Sequence, residues 1–258
     1  MKNTIKTFAL FLTAGAMLAS CDSYLDRQPD EPLTSDNIFK KQKTTLQYLT
    51  NIYSYQPDYE APACVSNSND IPWEASSDET SFAYLDRAYT QINYNSWNPS
   101  INIYRDDTYN TPYKGIREAN YFMQHVHECP ELTDTDKGYY YNEARFLRAH
   151  FYAMMLSVYG PVFLIGDDPV DFTQSGLDQR ERNTWDECVS YVANELWEAA
   201  KGLPDSWPDI YYGRATKGAA LAARARLLLY SARKLFNGNE LYKGIVNRNG
   251  DHLFPTQY

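Results

Sequence analysis

Apolar side chains at helical intervals are the feature that most restricts how this chain can fold. The clearest case runs from Thr184 to Lys201, where Thr184 and Glu187 have the spacing of a capping box and Gly202 and Pro204 mark the end. The apolar residues of this segment fall on one helical face: Trp185, Val189, Val192, Leu196 and Ala199. The pattern predicts an amphipathic helix that packs against other helices.

Four further segments show helical spacing. They are Asn37 to Tyr55, Tyr109 to His127, Tyr139 to Tyr159 and the alanine-rich stretch Thr216 to Leu235. The inward residues of the second are expected to be Tyr113, Ile116, Ala119 and Met123, and those of the third Ala144, Leu147, Phe151, Met154 and Val158. Short successive helices with small contact residues predict an all-α fold of tetratricopeptide-like helical hairpins with long irregular loops.

The stretch from Gln56 to Asp107 has no sustained periodicity. It is rich in Asn, Ser, Asp and aromatic residues. Long irregular segments in compact domains are usually functional or disordered, and the aromatic content argues against simple disorder. We therefore expect functional side chains in this loop region.

The N-terminus has the layout of an export signal. Lys2 and Lys6 precede the apolar run Phe8 to Leu18, and Leu18-Ala19-Ser20-Cys21 resembles the bacterial lipobox. This predicts a signal peptide over residues 1–20, lipidation of Cys21 by acyl chains such as palmitate, and a tether over residues 21–36 before a helical domain over residues 37–258. The alternatives are an uncleaved membrane anchor or a buried hydrophobic start.

The charge of the chain argues against nucleic-acid binding. The net charge is −9, and removal of residues 1–20, which carry two lysines and no acidic residue, makes it −11. Such a surface repels phosphate backbones. The 23 tyrosines and the aromatic share of 15% fit surfaces that contact sugars or peptides, but they also fit ordinary helix interfaces.

No cofactor or metal site is expected from the motifs. Cys64, Cys129 and Cys188 lack metal-ligand spacing and allow at most one disulfide. His125 and His127 lack the i, i+4 spacing that zinc-binding helices use, and the glycine-containing stretch Gly213 to Ala220 lacks the phosphate-loop lysine.

Paired carboxylates keep a glycan-degrading enzyme open as an alternative, because glycoside hydrolysis needs only two carboxylates at a suitable separation. The candidate pairs are Asp78-Glu79, Asp106-Asp107 and Asp167-Asp168. Acidic residues at turns and helix starts are more often solvated caps.

Four segments together resemble the SusD/RagB family of outer-membrane nutrient-binding lipoproteins. They are Cys21 to Asp26 (CDSYLD), Tyr113 to Met123 (YKGIREANYFM), Glu143 to Ile165 (EARFLRAHFYAMMLSVYGPVFLI), and Gly213 to Ala232 (GRATKGAALAARARLLLYSA) followed by Leu235 to Asn239 (LFNGN). The resemblance implies a lipid-anchored protein on the cell surface, at the outer face of the outer membrane. It also implies a TonB-dependent, SusC-like transporter as partner and an oligosaccharide or peptide ligand, without catalysis.

The ligand surface in this family is formed largely by irregular loops, and the matching region here is Gln56 to Asp107. Aromatic faces that could pack on sugar rings, and an amide for their hydroxyls, are supplied by Trp73, Tyr84, Trp97, Asn98 and Tyr104. Each aromatic residue could instead fill the core beneath the loop.

Members of the family normally continue well beyond Leu235 to Asn239. The resemblance therefore implies that the chain is the N-terminal portion of such a protein and exposes apolar helix surface.

Besides nutrient binding and glycan degradation, a third possible function is a helical-repeat scaffold that binds another protein.

Overall fold

The structure is a computed structural model that describes residues 35–56, 77–79, 88–98, 106–167 and 180–257. The chain divides into two compact units, Met1–Ile38 and Phe39–Tyr258. In the first unit the described residues form the short helix α1, Ser35–Ile38. All other described residues belong to the second unit, and Cys21 and Cys64 lie outside the described residues.

The described part of the second unit is helical. Its α-helices are α2 (Gln42–Tyr53), α3 (Ala88–Asn93), α4 (Thr111–His125), α5 (Asp134–Tyr159), α6 (Trp185–Gly202) and α7 (Lys217–Ser231). A π-helical turn at Asp106–Asn110 leads into α4, and 3₁₀ turns form at Val126–Glu128 and Asp209–Tyr211. Extended pairing in these residues is limited to an isolated antiparallel bridge between Val246 and His252. The predicted all-α fold class is confirmed.

From α4 to α7, each helix packs against the next one along the chain. Helix α4 lies against α5, α5 against α6, and α6 against α7, while α2 contacts both α4 and α5. Stacking of neighbour on neighbour is how helical-hairpin repeats bury their apolar faces. The tetratricopeptide-like arrangement predicted from the sequence is confirmed.

Side-chain caps set several helix starts. Thr184 and Glu187 form the predicted capping box, with Glu187 N–H donating to Thr184 Oγ1 at 3.3 Å and Thr184 N–H donating to Glu187 Oε2 at 2.8 Å. Thr216 caps α7 through the Ala219 N–H. Thr133 caps α5 in the same way, so this helix begins five residues before the predicted Tyr139.

The predicted helix from Asn37 to Tyr55 is wrong as a single element, because it divides into α1 and α2. Lys41 lies between them in extended backbone, with φ −128° and ψ 140°. The hydroxyl of Thr45 donates to the Lys41 carbonyl at 2.9 Å and so helps to close the first turn of α2.

Helix α5 lies at the centre of the core. Ala144, Leu147 and Phe151 are buried as predicted, but Met154 and Val158 are only half-buried. The buried positions near this end of the helix are instead Tyr152, Met155 and Leu156. A single inward stripe was the wrong expectation because α5 is covered on two sides, by α4 and by α6.

The described residues after α7, up to residue 257, contain no α-helix and cover the start of α6. Phe236 stacks on Trp185 with ring centroids 4.0 Å apart, and Trp185 N–H donates to the Leu253 carbonyl at 2.8 Å. Phe254 lies 6.2 Å from Phe236 in a stacked arrangement. This aromatic stack fixes the C-terminal segment on the helices.

Helix α7 is covered on one side only. Ala220 and Leu227 are buried, whereas Leu221, Leu228 and Leu229 are 36%, 38% and 75% exposed.

None of the helices in the described part of the chain is both long and apolar enough to cross a membrane.

Candidate functional site

A buried network centred on Arg148 joins three helices. Arg148 of α5 is 1% exposed, and its Nη1 donates to Asn120 Oδ1 and to Asp167 Oδ1, both at 2.7 Å. Its Nη2 donates to Glu195 of α6, which also accepts from Arg145 Nη2 at 2.7 Å. Because each partner comes from a different element, this network fixes α4, α5, α6 and the segment after α5 relative to one another.

The segment after α5 is fixed by further side chains of α4 and α5. The hydroxyl of Tyr152 accepts from Ile165 N–H at 2.8 Å and donates to the Ile165 carbonyl at 3.1 Å. Tyr113 donates to the Phe163 carbonyl at 2.7 Å, and Asn120 Nδ2 donates to the Gly166 carbonyl at 2.9 Å. Tyrosine hydroxyls here satisfy backbone groups, which accounts for part of the tyrosine content without any ligand.

A second buried network is centred on Glu143, which is fully buried on α5. Arg214 Nε donates to Glu143 Oε1 at 2.7 Å, Arg214 Nη2 donates to Oε2, and the Tyr53 hydroxyl donates to Oε1. The guanidinium of Arg214 also lies over the rings of Trp207 and Tyr140, at 4.3 and 4.8 Å from their centroids. The first part of the GRATKGAA stretch is therefore structural.

These surroundings shift the pKa values of the two buried carboxyl groups in opposite directions. Burial alone would raise the pKa of Glu195, but the hydrogen bonds and charges of Arg145 and Arg148 outweigh it and hold that pKa below the ordinary value. Burial raises the pKa of Glu143, and Arg214 and Tyr53 offset this only in part. Both carboxyl groups accept hydrogen bonds from arginine, Glu195 from Arg145 and Arg148 and Glu143 from Arg214.

The candidate carboxylate pairs for glycan hydrolysis gain no support from the described residues. Asp167 is exposed and accepts a hydrogen bond from the buried Arg148, while Asp168 lies outside the described residues. Asp78 and Glu79 are exposed in a short bend. The Asp106-Asp107 pair lies in the π-helical turn before α4.

The sulfur and histidine residues show no arrangement for metal binding among the residues described. His125 Nδ1 lies 2.8 Å from Glu128 Oε1, on its own helix end, and no group of three potential ligands is found in this part of the chain. Cys129 and Cys188 are buried free thiols, and Cys188 Sγ donates to the Val162 carbonyl at 3.3 Å.

An exposed aromatic turn follows α3. The Gln91 carbonyl accepts from the N–H groups of Ser96 at 2.8 Å and Trp97 at 3.1 Å, while Asn95 adopts the left-handed conformation with φ 54°. Asparagine tolerates this conformation better than most residues. The turn is thus held by its own backbone and by an Asn, and its side chains need not pack into the core.

Tyr94 and Trp97 project from this turn and are 58% and 48% exposed. Asn98 follows and is also exposed. We call Tyr94 to Asn98 the aromatic turn. It presents two large rings next to amide groups, a combination that suits a ligand with both apolar faces and hydroxyls.

The predicted ligand residues divide into two groups. Trp97 and Asn98 lie on the aromatic turn, whereas Trp73, Tyr84 and Tyr104 lie outside the described residues. Tyr94 was not among the ligand residues predicted from the sequence. The signal for it was present, because Tyr94 precedes the Asn-Ser turn directly and lies three positions before Trp97.

The chain is similar to known proteins. A family model described as SusD-like, "Starch-binding associating with outer membrane", matches residues 23–229. Comparison with curated protein sequences gives no significant match.

Solved structures of SusD-like proteins share the fold. A SusD-like protein from Bacteroides fragilis is 25% identical, with a TM-score of 0.61 over 80% of this chain and 38% of its own. A laminarin-binding SusD-like protein is 20% identical, with a TM-score of 0.62 over 75% of this chain and 41% of its own.

A third similar structure carries a sugar. Surface glycan-binding protein A from Bacteroides thetaiotaomicron, in complex with laminarihexaose, is 16% identical, with a TM-score of 0.58 over 74% of this chain and 39% of its own. The chain thus spans about two fifths of the length of each of these structures. Because the family model covers most of the sequence, this chain belongs to the SusD-like family of carbohydrate-binding proteins associated with the outer membrane.

Proposed function

We propose that this protein is a non-catalytic lipoprotein of the cell surface that binds oligosaccharides and delivers them to a TonB-dependent, SusC-like transporter for uptake. The observation that carries the proposal is the family match over residues 23–229. Two structurally similar proteins are a laminarin-binding protein and a complex with laminarihexaose, which makes a glucan the first ligand to test.

The aromatic turn is our proposed contact surface for the sugar. The C–H face of a pyranose ring is apolar and can pack on an aromatic ring, while its hydroxyls need donors and acceptors. Trp97 and Tyr94 would supply the faces and Asn98 the amide. We propose Trp73, Tyr84 and Tyr104 as additional contacts from the same loop region.

A titration with laminarihexaose and maltohexaose tests the ligand and the turn. We expect binding by the unsubstituted chain and a loss of about tenfold in affinity for Trp97→Ala, since one good aromatic contact contributes about 0.5–1.5 kcal/mol beyond its area. Trp197→Ala is the matched control, because Trp197 is also a surface tryptophan, 43% exposed on α6. Equal effects of the two substitutions would contradict the assignment of Trp97.

Absence of binding to both glucans would overturn the proposal that the ligand is a glucan. A short peptide library under the same conditions then tests the peptide alternative. Enzymatic turnover of either glucan, measured as released reducing ends, would contradict the non-catalytic part of the proposal.

Cys21 is proposed as the lipid anchor of the mature protein. The lipobox-like residues Leu18 to Cys21 support it, and several acyl chains hold a protein firmly because each buried CH₂ contributes about 0.8 kcal/mol. Cys21→Ser should move the protein from the membrane fraction to the soluble fraction and remove the acyl mass from its N-terminus. Cys64→Ser is the control and should change neither.

A further inference from the structure

A cavity lies far along the sequence from the aromatic turn. Its volume is about 280 Å³, and it is lined by the C-terminal end of α5, by Arg182 before α6, by the C-terminal end of α7 and by the segment after α7. The aromatic and basic residues that line it are Tyr159, Tyr230, Tyr242, Phe236, Phe254 and Arg182. We call it the tyrosine pocket. It shares no lining residue with the aromatic turn.

Closely packed aromatic rings form the floor of the tyrosine pocket. Phe236 and Phe254 are 5% and 8% exposed and stack on one another, and Phe236 also stacks on the buried Trp185. Packed aromatic layers of this kind hold their shape, because neighbouring side chains leave no room for other rotamers. The pocket is therefore present before any ligand arrives.

Two tyrosines form its walls. Tyr242 lies 4.8 Å from Phe254 between ring centroids, and Tyr230 lies 5.0 Å from Phe236. The Tyr230 hydroxyl donates to the Ser157 carbonyl at 3.1 Å, which orients its ring. Both rings are only partly buried and so retain surface for contact with a ligand.

Arg182 supplies hydrogen-bond donors at the rim. Its side chain is exposed, and its Nη1 reaches the Pro161 carbonyl at 3.5 Å, the outer limit of a hydrogen bond. No carboxylate among the described residues lies within ion-pair distance of its guanidinium. A guanidinium has five N–H donors, so this arginine can donate to ligand hydroxyl oxygens.

The volume of the tyrosine pocket limits the ligand. Ligand sites usually measure about 300–1,000 Å³, so a cavity of about 280 Å³ suits one or two rings of an oligosaccharide but not a folded partner. Partly exposed aromatic faces beside hydrogen-bond donors match the two chemical faces of a pyranose. We propose that the tyrosine pocket is a second saccharide subsite, which binds a terminal pyranose unit of an oligosaccharide between Tyr242 and Tyr230 with Arg182 donating to its hydroxyls.

This inference rests on the proposed function, since it adds a subsite to a glycan-binding protein. The test is a saturation-transfer NMR titration of the full chain with laminarihexaose and maltohexaose. In the Trp97→Ala background, which lacks the main ring of the aromatic turn, residual binding should remain. Adding Tyr242→Ala or Arg182→Ala to that background should weaken the residual binding about tenfold or abolish it.

Two controls separate binding from folding. Tyr212→Ala removes a tyrosine that is 96% exposed and lies outside the pocket, so it should leave the residual binding unchanged. Tyr242→Phe keeps the ring and should retain most of the affinity. If Tyr242→Ala melts at a much lower temperature than the parent chain, Arg182→Ala provides the test, because the exposed Arg182 contributes little packing.

The outcomes distinguish this inference from the proposed function. If the chain binds a glucan and Trp97→Ala alone abolishes all binding, the second subsite is overturned and the proposed function stands. If Trp97→Ala leaves binding that Tyr242→Ala and Arg182→Ala do not change, the second subsite is likewise overturned. If neither glucan binds the unsubstituted chain, both the subsite and the proposed ligand class fail.

Discussion

The guanidinium of Arg214 donates two hydrogen bonds to the carboxylate of Glu143, although the two residues lie 71 positions apart in the chain. Glu143 is fully buried, and the Arg214 side chain is 15% exposed. The pair links the middle helix α5 to the start of α7, and the Tyr53 hydroxyl extends the link to α2. The ion pair and the Tyr53 hydroxyl together connect α2, α5 and the segment that leads into α7.

We predict that Arg214→Met destabilises the protein by about 3–5 kcal/mol, because it leaves Glu143 as a buried carboxyl group without its cation. Urea unfolding followed by circular dichroism measures the loss. The double variant Arg214→Met/Glu143→Leu should recover part of it, since two apolar residues replace both partners. If the loss of unfolding free energy in the double variant equals the sum of the losses in the two single variants, the two residues do not act as a pair.

Stability should depend on pH through Glu195. Its pKa is held below the ordinary value of 4.5 in the folded protein, so the unfolded chain takes up a proton first as the pH falls. The Glu195 carboxylate therefore contributes its full stabilisation above its ordinary pKa. This contribution is lost as the pH falls through the lower pKa that Glu195 has in the folded protein. We expect the unfolding free energy to decrease as the pH is lowered below about 4.5.

Glu195→Gln should be less stable at neutral pH and should show a weaker decrease towards acid. Glu198→Gln is the matched control, because Glu198 lies on the same helix and pairs with Lys201 at the surface. A decrease of equal steepness in Glu195→Gln and in the unsubstituted chain would contradict the assignment to Glu195.

The close approach of α4 and α5 depends on Gly115. A Cβ atom added there would lie 2.5 Å from Phe151 Cε2, and Phe151 is fully buried and cannot move aside. We expect Gly115→Ala to destabilise the protein by about 1–3 kcal/mol, the usual range for overpacking. Thermal unfolding of purified variants measures the change.

Gly138 provides the matched control, since it lies in the interior of α5 with open space around the position of its missing Cβ. Gly138→Ala should be neutral or should stabilise by up to about 1 kcal/mol, the difference in helix propensity between Gly and Ala. If both substitutions stabilise the protein, the helices are not in contact at Gly115.

The parts of the fold that could be predicted from the sequence are those set by local chemistry. The capping box of Thr184 and Glu187 was read correctly, because both bonds lie within one helical turn. The burial of α5 on two sides was not predicted, since helical spacing shows how polar a face is but not how many neighbours cover it. The Arg148 network was also missed, as its hydrogen-bonded pairs lie up to 50 positions apart in the chain.

The candidate site divides in the same way. Trp97 could be chosen because an aromatic residue beside Asn in a loop is a local pattern, and its exposure agrees with a surface position. The tyrosine pocket could not be predicted. Its lining comes from four separate segments, and nothing in the spacing of Arg182, Tyr230 and Tyr242 brings them together before the chain is folded.

The last prediction concerns the apolar face of α7, which we define as Leu221, Leu228 and Leu229 with the exposed alanines Ala222 and Ala225 between them. These positions follow the i, i+1, i+4, i+7, i+8 spacing of one helical face. Contiguous exposed apolar surface of this kind mediates association. We therefore expect the chain from Cys21 to Tyr258, expressed alone, to aggregate or to bind a hydrophobic dye such as ANS.

Leu229→Lys should lower the dye fluorescence and the aggregated fraction, because Leu229 is 75% exposed on the apolar face and contributes little to the core. Ile210→Lys is the matched control, as Ile210 is 83% exposed but lies before α7 and outside its apolar face. Light scattering and dye titration at equal protein concentration compare the variants. A monodisperse, cooperatively melting monomer that binds no dye would contradict the prediction, because it would show that this face is tolerated in water without a covering partner.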